Sequence, residues 1–448
     1  MTKRTLLKTI STITLLTSSI VNAQPNWSAI KANATFIVPD TNYLAPVIQP
    51  INVPGWEDGL YITRDGKHLF STYLPLDAFS WITDLIANPI CFNFDPYFRP
   101  PLLGIDTVTN PWGCQNYMNS DIVISERSNT CSNFNTWHQS NLHTSMYFEG
   151  GACGVLKNSD TFDVFVYTKD LGEPLRMELK MMRNVPINPS YNSEFTIQSS
   201  TGQEDNPHIE RLNDTTLLLF FDRDRYIYYS LSYDNGSSWQ TAFKITNVLN
   251  DQYPYDVQPH LWNDGTHWWM YFCANNTSYM RCIYKSKQQI ANDWNSWGSK
   301  ELVVEPAMIN GGSGSIFGVG EPTLTQWGDL SFVVVYGNNT LTDTTDVFDC
   351  DPWILIRKDS PLSTSIAQLN LPSILKLYPN PANESIYIST ISEQKNEIQF
   401  FNSMGVLVKE ISISQSTQIN IKDLPNGLYF VKLKNNHQQT IKFIKGGL

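Results

Sequence analysis

A proline-led signature recurs along the middle of this 448-residue chain. Asp205-Asn206-Pro207-His208 returns as Val257-Gln258-Pro259-His260 and then as Gly320-Glu321-Pro322-Thr323, at intervals of about 50 to 60 residues. Each copy opens a unit that continues with a turn, an aromatic-rich run, a polar turn and another β-prone run, while helical periodicity is scarce. Trp137, Trp239 and Trp297 each close a polar turn late in such a unit. A unit of about four strands cannot bury both faces of its own sheet, and stacking units around an axis solves this. The predicted fold is therefore all-β: a β-propeller of five blades, six being the alternative, followed by a small C-terminal β-sandwich. The tryptophans fill the wedges between blades. One blade spans Trp56 to Leu142 and carries an insertion from about Pro75 to Tyr117; the others cover about 148 to 200 and start near 204, 256 and 318. Residues before Trp56 lend a closing strand or part of a sixth blade.

The opening residues put Lys3, Arg4 and Lys8 ahead of an apolar, Ser/Thr-diluted run that ends in Val21-Asn22-Ala23. This is the pattern of a secretory signal peptide over 1–23, cut after Ala23. The run is shorter than the ~20 residues a membrane span needs, and no later segment is long and apolar enough, so no transmembrane segment is expected. Lys+Arg 31 against Asp+Glu 42 gives a net charge of -11. That balance excludes a general nucleic-acid binder, which needs a cationic face toward the phosphates. All seven cysteines lie beyond the signal, where disulfides are chemically permitted. Cys273 and Cys282 flank a polar turn, and a hairpin there places them opposite one another as a predicted disulfide. Cys131 with Cys153 and Cys91 with Cys114 are further pairings, leaving Cys350 over. No Cys-x2-Cys or His-x3-His spacing supports zinc.

Three segments resemble known families. GLYITRDGKHLFSTYL, from Gly59, resembles the WD40-like repeat of the PD40 or TolB type. SYDNGSSW, from Ser232, resembles the Asp box of sialidase-like propellers, with Ser232, Asp234, Gly236 and Trp239 in its fixed positions. The Asp234 carboxylate would take backbone N–H groups inside the turn and Gly236 a positive φ. In those families the box lies away from the catalytic centre, so it implies a fold and not an activity. From Ile374 the chain resembles the type A sorting domain of the type IX secretion system of Bacteroidota. The resemblance rests on Tyr378-Pro379-Asn380-Pro381, on Met404-Gly405, on the turn holding Gly427 and Tyr429, and on the basic strand Lys442 to Lys445. It implies Sec export, passage of the outer membrane by the type IX secretion machinery, removal of the domain, and release or attachment to surface lipopolysaccharide. The domains are thus 1–23 signal peptide, 24–360 propeller, 361–373 linker and 374–448 sorting domain.

The first strand of every propeller blade lines the axial channel, which gathers residues far apart in sequence. Asp58, Glu149, Asp205, His208, Asp256, His260 and Glu321 fall at or next to such positions, and Arg99, Arg211, Arg223 and Arg281 join from loops. Carboxylates on one axis can supply the acid and the base or nucleophile of glycosidic cleavage. Resemblance to five-bladed glycosidases of the arabinanase and fructosidase type would make Asp58, Asp256 and Glu321 the base, orienting and acid residues. Arg99, Glu149, Asp205, His208 and His260 then bind ligand. Phe98-Arg99-Pro100-Pro101 is similar to the sialidase Phe-Arg-Ile-Pro motif except at the third residue. The structural alternative is a channel filled by paired polar groups, water or a structural cation. His208 and His260 are either metal ligands or packing residues inherited with the repeat. The acidic run Asp343 to Asp351 is a candidate calcium segment without EF-hand spacing, or a solvated loop. No cofactor is identified. The expected function is binding of an extracellular glycan or polymer; glycoside hydrolysis and a protein-interaction propeller are the alternatives.

Overall fold

The computed structural model describes residues 27–49, 51, 56–74, 120–130, 132–142, 148–170, 177–191, 194–197, 202–246, 249, 256–309, 314–338, 348–363, 376–389, 396–403, 405–413, 417–433 and 436–446. The signal segment, the 75–117 insertion with Arg99, and Cys91, Cys114 and Cys131 lie outside these residues, as do Asp343, Asp346 and Met404.

Apart from a short helix (Trp27–Ala32), the described elements are strands. Up to residue 363 the described strands fall into five antiparallel groups in chain order, called sheets I to V here, of which I, IV and V are joined by hydrogen bonds into one 13-stranded sheet. Sheet I contains Trp56–Ile62, His68–Leu74, Asp121–Glu126 and His138–Gln139. Sheet II contains Glu149–Asn158, Thr161–Asp170, Met177–Pro186 and Phe195–Thr196. Sheet III contains Glu204–Arg211, Leu217–Arg223, Tyr226–Ser232 and Phe243–Lys244. Sheet IV contains Val257–Asn263, Trp268–Asn275, Arg281–Lys287 and Glu301–Ile309. Sheet V contains Gly314–Leu324, Leu330–Asn338 and Phe348–Leu355. The chain before Trp56 completes the last two: Ala34–Ile37 pairs with Glu301–Ile309, and Val47–Ile48 pairs with Phe348–Leu355. Single parallel bridges, Arg281 with Gly318 and Cys350 with Trp56, touch sheet IV to V and V to I.

Side chains alternate across a strand, so each sheet here has two faces to bury. Leu217, Leu219 and Phe221 enter one apolar cluster with sheets I and II, whereas Leu218 and Phe220 enter another with sheet IV, beside Trp294 and Trp297. Sheets IV and V share a third cluster, and sheets V and I a fourth, through Val333, Cys350, Trp56 and Trp137. Every neighbouring pair, including last and first, is joined by packed apolar surface. The first strands of sheets I to V likewise contact one another in a closed cycle. Trp137 and Trp297 are 2% and 1% exposed and fill two of the wedges, while Trp239 is half-buried against the cluster of sheets I to III.

The turn after Tyr226–Ser232 follows from its residues. Asp234 Oδ1 accepts from Ser232 Oγ (2.9 Å) and Ser238 N (2.8 Å), Ser232 Oγ accepts from Gly236 N (2.7 Å), and Gly236 takes φ +80°.

The predicted Cys273–Cys282 disulfide does not form; Cys153, Cys273, Cys282 and Cys350 are all free and buried. The register explains why. Cys282 lies opposite Ala274, and Cys273 opposite Ile283, so the two sulfurs point to opposite faces of sheet IV. Peptide mapping without reductant is therefore expected to find no Cys273–Cys282 link, and these four thiols to react with a thiol reagent only once the chain unfolds. A linked peptide would contradict the register.

The helix Trp27–Ala32 delivers Lys31 to a buried acidic group between sheets V and I. Its ammonium lies 2.8 Å from Asp349 and 2.6 Å from Asp351, whose side chains are almost fully buried. Glu57 shares a hydrogen bond with Asp351 and accepts one from Trp137 Nε1 (2.7 Å). Burial and the Asp351 charge push the Glu57 carboxyl well above its usual range, which favours its protonated form. Burial opposes the Lys31 charge, but Asp351 and Asp349 outweigh it and hold Lys31 above the usual lysine range. At the other end of this part of the chain, Leu362, expected in the linker, is buried with Ile354 and Ile356.

The C-terminal unit has a three-stranded sheet (Lys376–Tyr378, Ser385–Ser389, Thr417–Asn420) and a four-stranded one (Asn396–Asn402, Leu407–Ile413, Gly427–Leu433, Asn436–Lys445). They share one apolar cluster that includes Ile386, Ile398, Phe400, Val431 and Phe443. The motif residues have visible tasks. After Tyr378 and Pro379, Asn380 clasps the last strand, its Nδ2 donating to Lys442 O (3.1 Å) and its Oδ1 accepting from Ile444 N (3.0 Å); the Asn380–Pro381 bond is cis. Gly427 opens its strand, and buried Tyr429 stacks on Phe443 while its hydroxyl donates to Pro425 O (2.7 Å).

Candidate functional site

Each first strand of sheets I to V is interrupted by a bulge at the same place, and each bulge holds one residue with positive φ: Gly59 (54°), Gly151 (52°), Asn206 (50°), Gln258 (61°) and Glu321 (53°). In sheets III to V the next residue is the repeated proline. For glutamine and glutamate this left-handed backbone is strained, a state that persists where surroundings over-determine it and that concentrates at functional sites, whereas asparagine tolerates it. Gly59 is required by space as well, because a Cβ there would stand 2.1 Å from Thr72 Oγ1. The bulges surround a cavity of about 20 Å³, room for one water molecule.

A polar girdle runs around this mouth. Thr72 Oγ1 accepts from Gly151 N (2.9 Å), joining sheet I to II, and Thr168 Oγ1 donates to Asp205 Oδ1 (3.0 Å), joining II to III. Gln258 N donates to both oxygens of Asp222 (3.1 and 2.9 Å), joining III to IV. Gln258 Nε2 donates to Glu321 and its Oε1 accepts from Glu321 N (3.2 Å), joining IV to V. Glu321 shares a hydrogen bond with Asp58, closing V on I. Asp58 also accepts from Trp56 Nε1 (3.1 Å).

Four carboxyl groups thus meet at one mouth. Burial, then Asp58, Asp205 and Asp222, push Glu321 well above the usual carboxyl range. Burial likewise raises Asp222, and raises Asp205 to about 6. Beside the axis a wider cavity of about 460 Å³ is walled by Asp205, Asp222, Asp224 and Arg225.

Further along the axis, toward the ends of the first strands, Arg64 crosses the channel. It donates to Glu210, to Leu261 O and to Leu324 O (2.9 Å), and lies 3.3 Å from His260 Nε2. His208 Nε2 is 3.0 Å from Glu210 Oε1, His260 Nε2 accepts from Leu324 N (3.0 Å), and the two rings are 3.9 Å apart. Burial lowers both histidines, which are neutral as a result. Burial opposes ionisation of Glu210, yet the Arg64 guanidinium holds its carboxyl at about 2.

The structure therefore brings Asp58, Asp205 and Glu321 together at the mouth and places His208 and His260 in the plug beneath. It does not bring Asp256 to them: that carboxylate is paired with Lys300 at 2.9 and 2.8 Å. Glu149 is fully buried, accepting from the Tyr191 hydroxyl (2.6 Å), and lines neither cavity. Among the described residues, no group of three or more His, Cys, Asp or Glu is arranged to hold a metal ion. The sequence reading missed Asp222, Gln258, Arg64 and Glu210. Asp222 was accessible in principle, since it lies directly opposite Asp205 on one hairpin.

Residues 376–445 match the model of the secretion system C-terminal sorting domain. This segment is a type IX sorting domain. It marks the chain for export to the cell surface or extracellular space, and no helix among the described residues is long and apolar enough to cross a membrane. No curated protein matches the chain. Among solved structures, it is similar to the catalytic domain of the Coprinopsis cinerea GH62 α-L-arabinofuranosidase, at 9% identity over 74% of this chain and 99% of that one, with a TM-score of 0.41. It is also similar to the Bacteroides ovatus xyloglucan PUL GH43B (10% identity, 90% of this chain and 91% of that one, TM-score 0.39). A third is the glycoside hydrolase family 32 structure from Bifidobacterium adolescentis (7% identity, 91% and 78%, TM-score 0.40).

Proposed function

We propose that the five sheets are the blades of a propeller, that the C-terminal sheets form a sandwich, and that the exported propeller hydrolyses glycosidic bonds at the carboxylate mouth. One observation carries the reading: Asp205, raised to about 6, lines a cavity at the mouth wide enough for a sugar, beside three further carboxyl groups. A carboxylic acid that keeps its proton up to about pH 6 is what leaving-group protonation needs, and Asp58, hydrogen-bonded to Glu321, is the base that activates water. Asp205 Oδ1 accepts from Thr168 Oγ1 and Asn206 N (2.8 Å), which fixes the carboxyl in the wall of the cavity.

The expected result is hydrolysis of at least one member of a panel of nitrophenyl glycosides and plant polysaccharides. Asp205→Asn should lower kcat by about 10²- to 10⁴-fold, the usual worth of a positioned acid. In the wild type, kcat/KM should fall above about pH 6 as Asp205 ionises, and the variant should lose that limb. A second reading, a non-catalytic glycan-binding propeller, is favoured by the closure of the girdle on itself, since Asp222 spends both oxygens on Gln258 and Asn206. Binding without turnover on the whole panel would select it.

A further inference from the structure

A second cavity, of about 680 Å³, lies between sheets IV and V, at the ends of the first strands where Arg64 binds the Leu261 and Leu324 carbonyls and away from the bulges. Trp262, Trp269 and Trp327 line it. Trp269 and Trp327 are half-exposed. The indole edge of Trp269 is fixed by donation to Asp264 Oδ2 (2.8 Å), and Asp264 is itself held by Thr266 N (2.8 Å) and His267 N (2.7 Å). Both cations of the lining are paired, and Asp264 is held by the Trp269 indole and backbone N–H groups. Arg357 binds Asp359 through two bonds (2.9 and 3.0 Å), and Lys285 lies 3.6 Å from Asp40.

We propose that this cavity is a second binding site, for a neutral oligosaccharide. Pre-oriented indoles offer apolar, polarisable surface to the C–H faces of sugar rings, and the rim supplies donors and acceptors for hydroxyl groups. An anionic ligand is disfavoured, because it would have to take Lys285 or Arg357 from its carboxylate and leave that carboxylate uncompensated. The cavity falls within the 300–1,000 Å³ typical of small-ligand sites. The proposal goes beyond hydrolysis at the mouth and stands without it. Its role is to hold a polymer on the face away from the carboxylates.

The test is calorimetric titration of the full chain with cellohexaose, xylohexaose and α-1,5-arabinohexaose. Binding of at least one is expected. It should weaken at least tenfold in Trp269→Ala, change at least tenfold in either direction in Thr266→Trp, which plants a ring on the exposed rim without disturbing packed residues, and persist in Asp205→Asn. Loss in Asp205→Asn would assign the binding to the mouth and overturn the proposal. So would unaltered binding in a folded Thr266→Trp protein, or no binding of any probe. Failure to detect hydrolysis touches only the reading of the mouth.

Discussion

Lys31→Met is expected to destabilise the protein by about 3–5 kcal/mol, the usual cost of stripping one partner from a buried ion group. The side chain is 13% exposed, and its partners Asp349 and Asp351 are 2% and 0% exposed. Without the ammonium, two carboxylates and the Glu57 carboxyl face one another with no cation between them. The variant should respond to pH with a definite sign. Deprived of Lys31, the folded state raises its carboxyl pKa values and binds more protons than the unfolded chain, so stability recovers as pH falls and the deficit is largest at alkaline pH. Denaturant unfolding at pH 5 and pH 8 checks this. A cost under about 1 kcal/mol, equal at both pH values, would show that the helix Trp27–Ala32 does not fasten sheet V to sheet I.

Arg64→Met should cost about 3 kcal/mol or more, because Glu210 then keeps its charge in the channel with only neutral histidines beside it. Adding Glu210→Gln should return a large part of that loss, and the double-mutant coupling measures the pair directly. Strict additivity would mean that Arg64 acts through packing alone. The wild-type pH dependence follows from the same groups. Glu210 titrates below its unfolded value of 4.5, so its contribution is complete above that pH and is lost as pH falls toward about 2. His208 and His260 are also lowered, so the unfolded chain takes up more protons below 6.5 and stability again falls with pH. Acid should therefore weaken the plug from about pH 6.5 downward, and removing Arg64 should flatten the lower part of the curve.

What the sequence disclosed was whatever local chemistry enforces. The repeated prolines marked the bulges because the position before each is held in an unusual backbone state, and that position is where Asn206, Gln258 and Glu321 meet. The strand runs were legible because a sheet buried on both faces demands near-continuous apolar residues, as in Leu217 to Phe221. The hidden parts depend on register and reach. The loop between Asn275 and Arg281 holds an odd number of residues, which sets Ala274 and not Cys273 across from Cys282. Arg64 reads as a solvated turn residue until closure of the ring brings Glu210 and Leu261 within its span. Lys31 reads as part of a short polar helix until sheet V supplies Asp349 and Asp351.

Val47–Ile48 completes sheet V by pairing with a strand about 300 residues downstream, so one of the earliest pieces synthesised has no partner until almost all the others exist. A chain broken off before residue 348 would leave Trp56, Tyr73 and Trp137 facing water along an unpaired edge, the kind of surface that draws copies together. The tail that recruits the exporter begins only after that closing strand. No interrupted product can thus carry its shipping label without also carrying the segment that seals it.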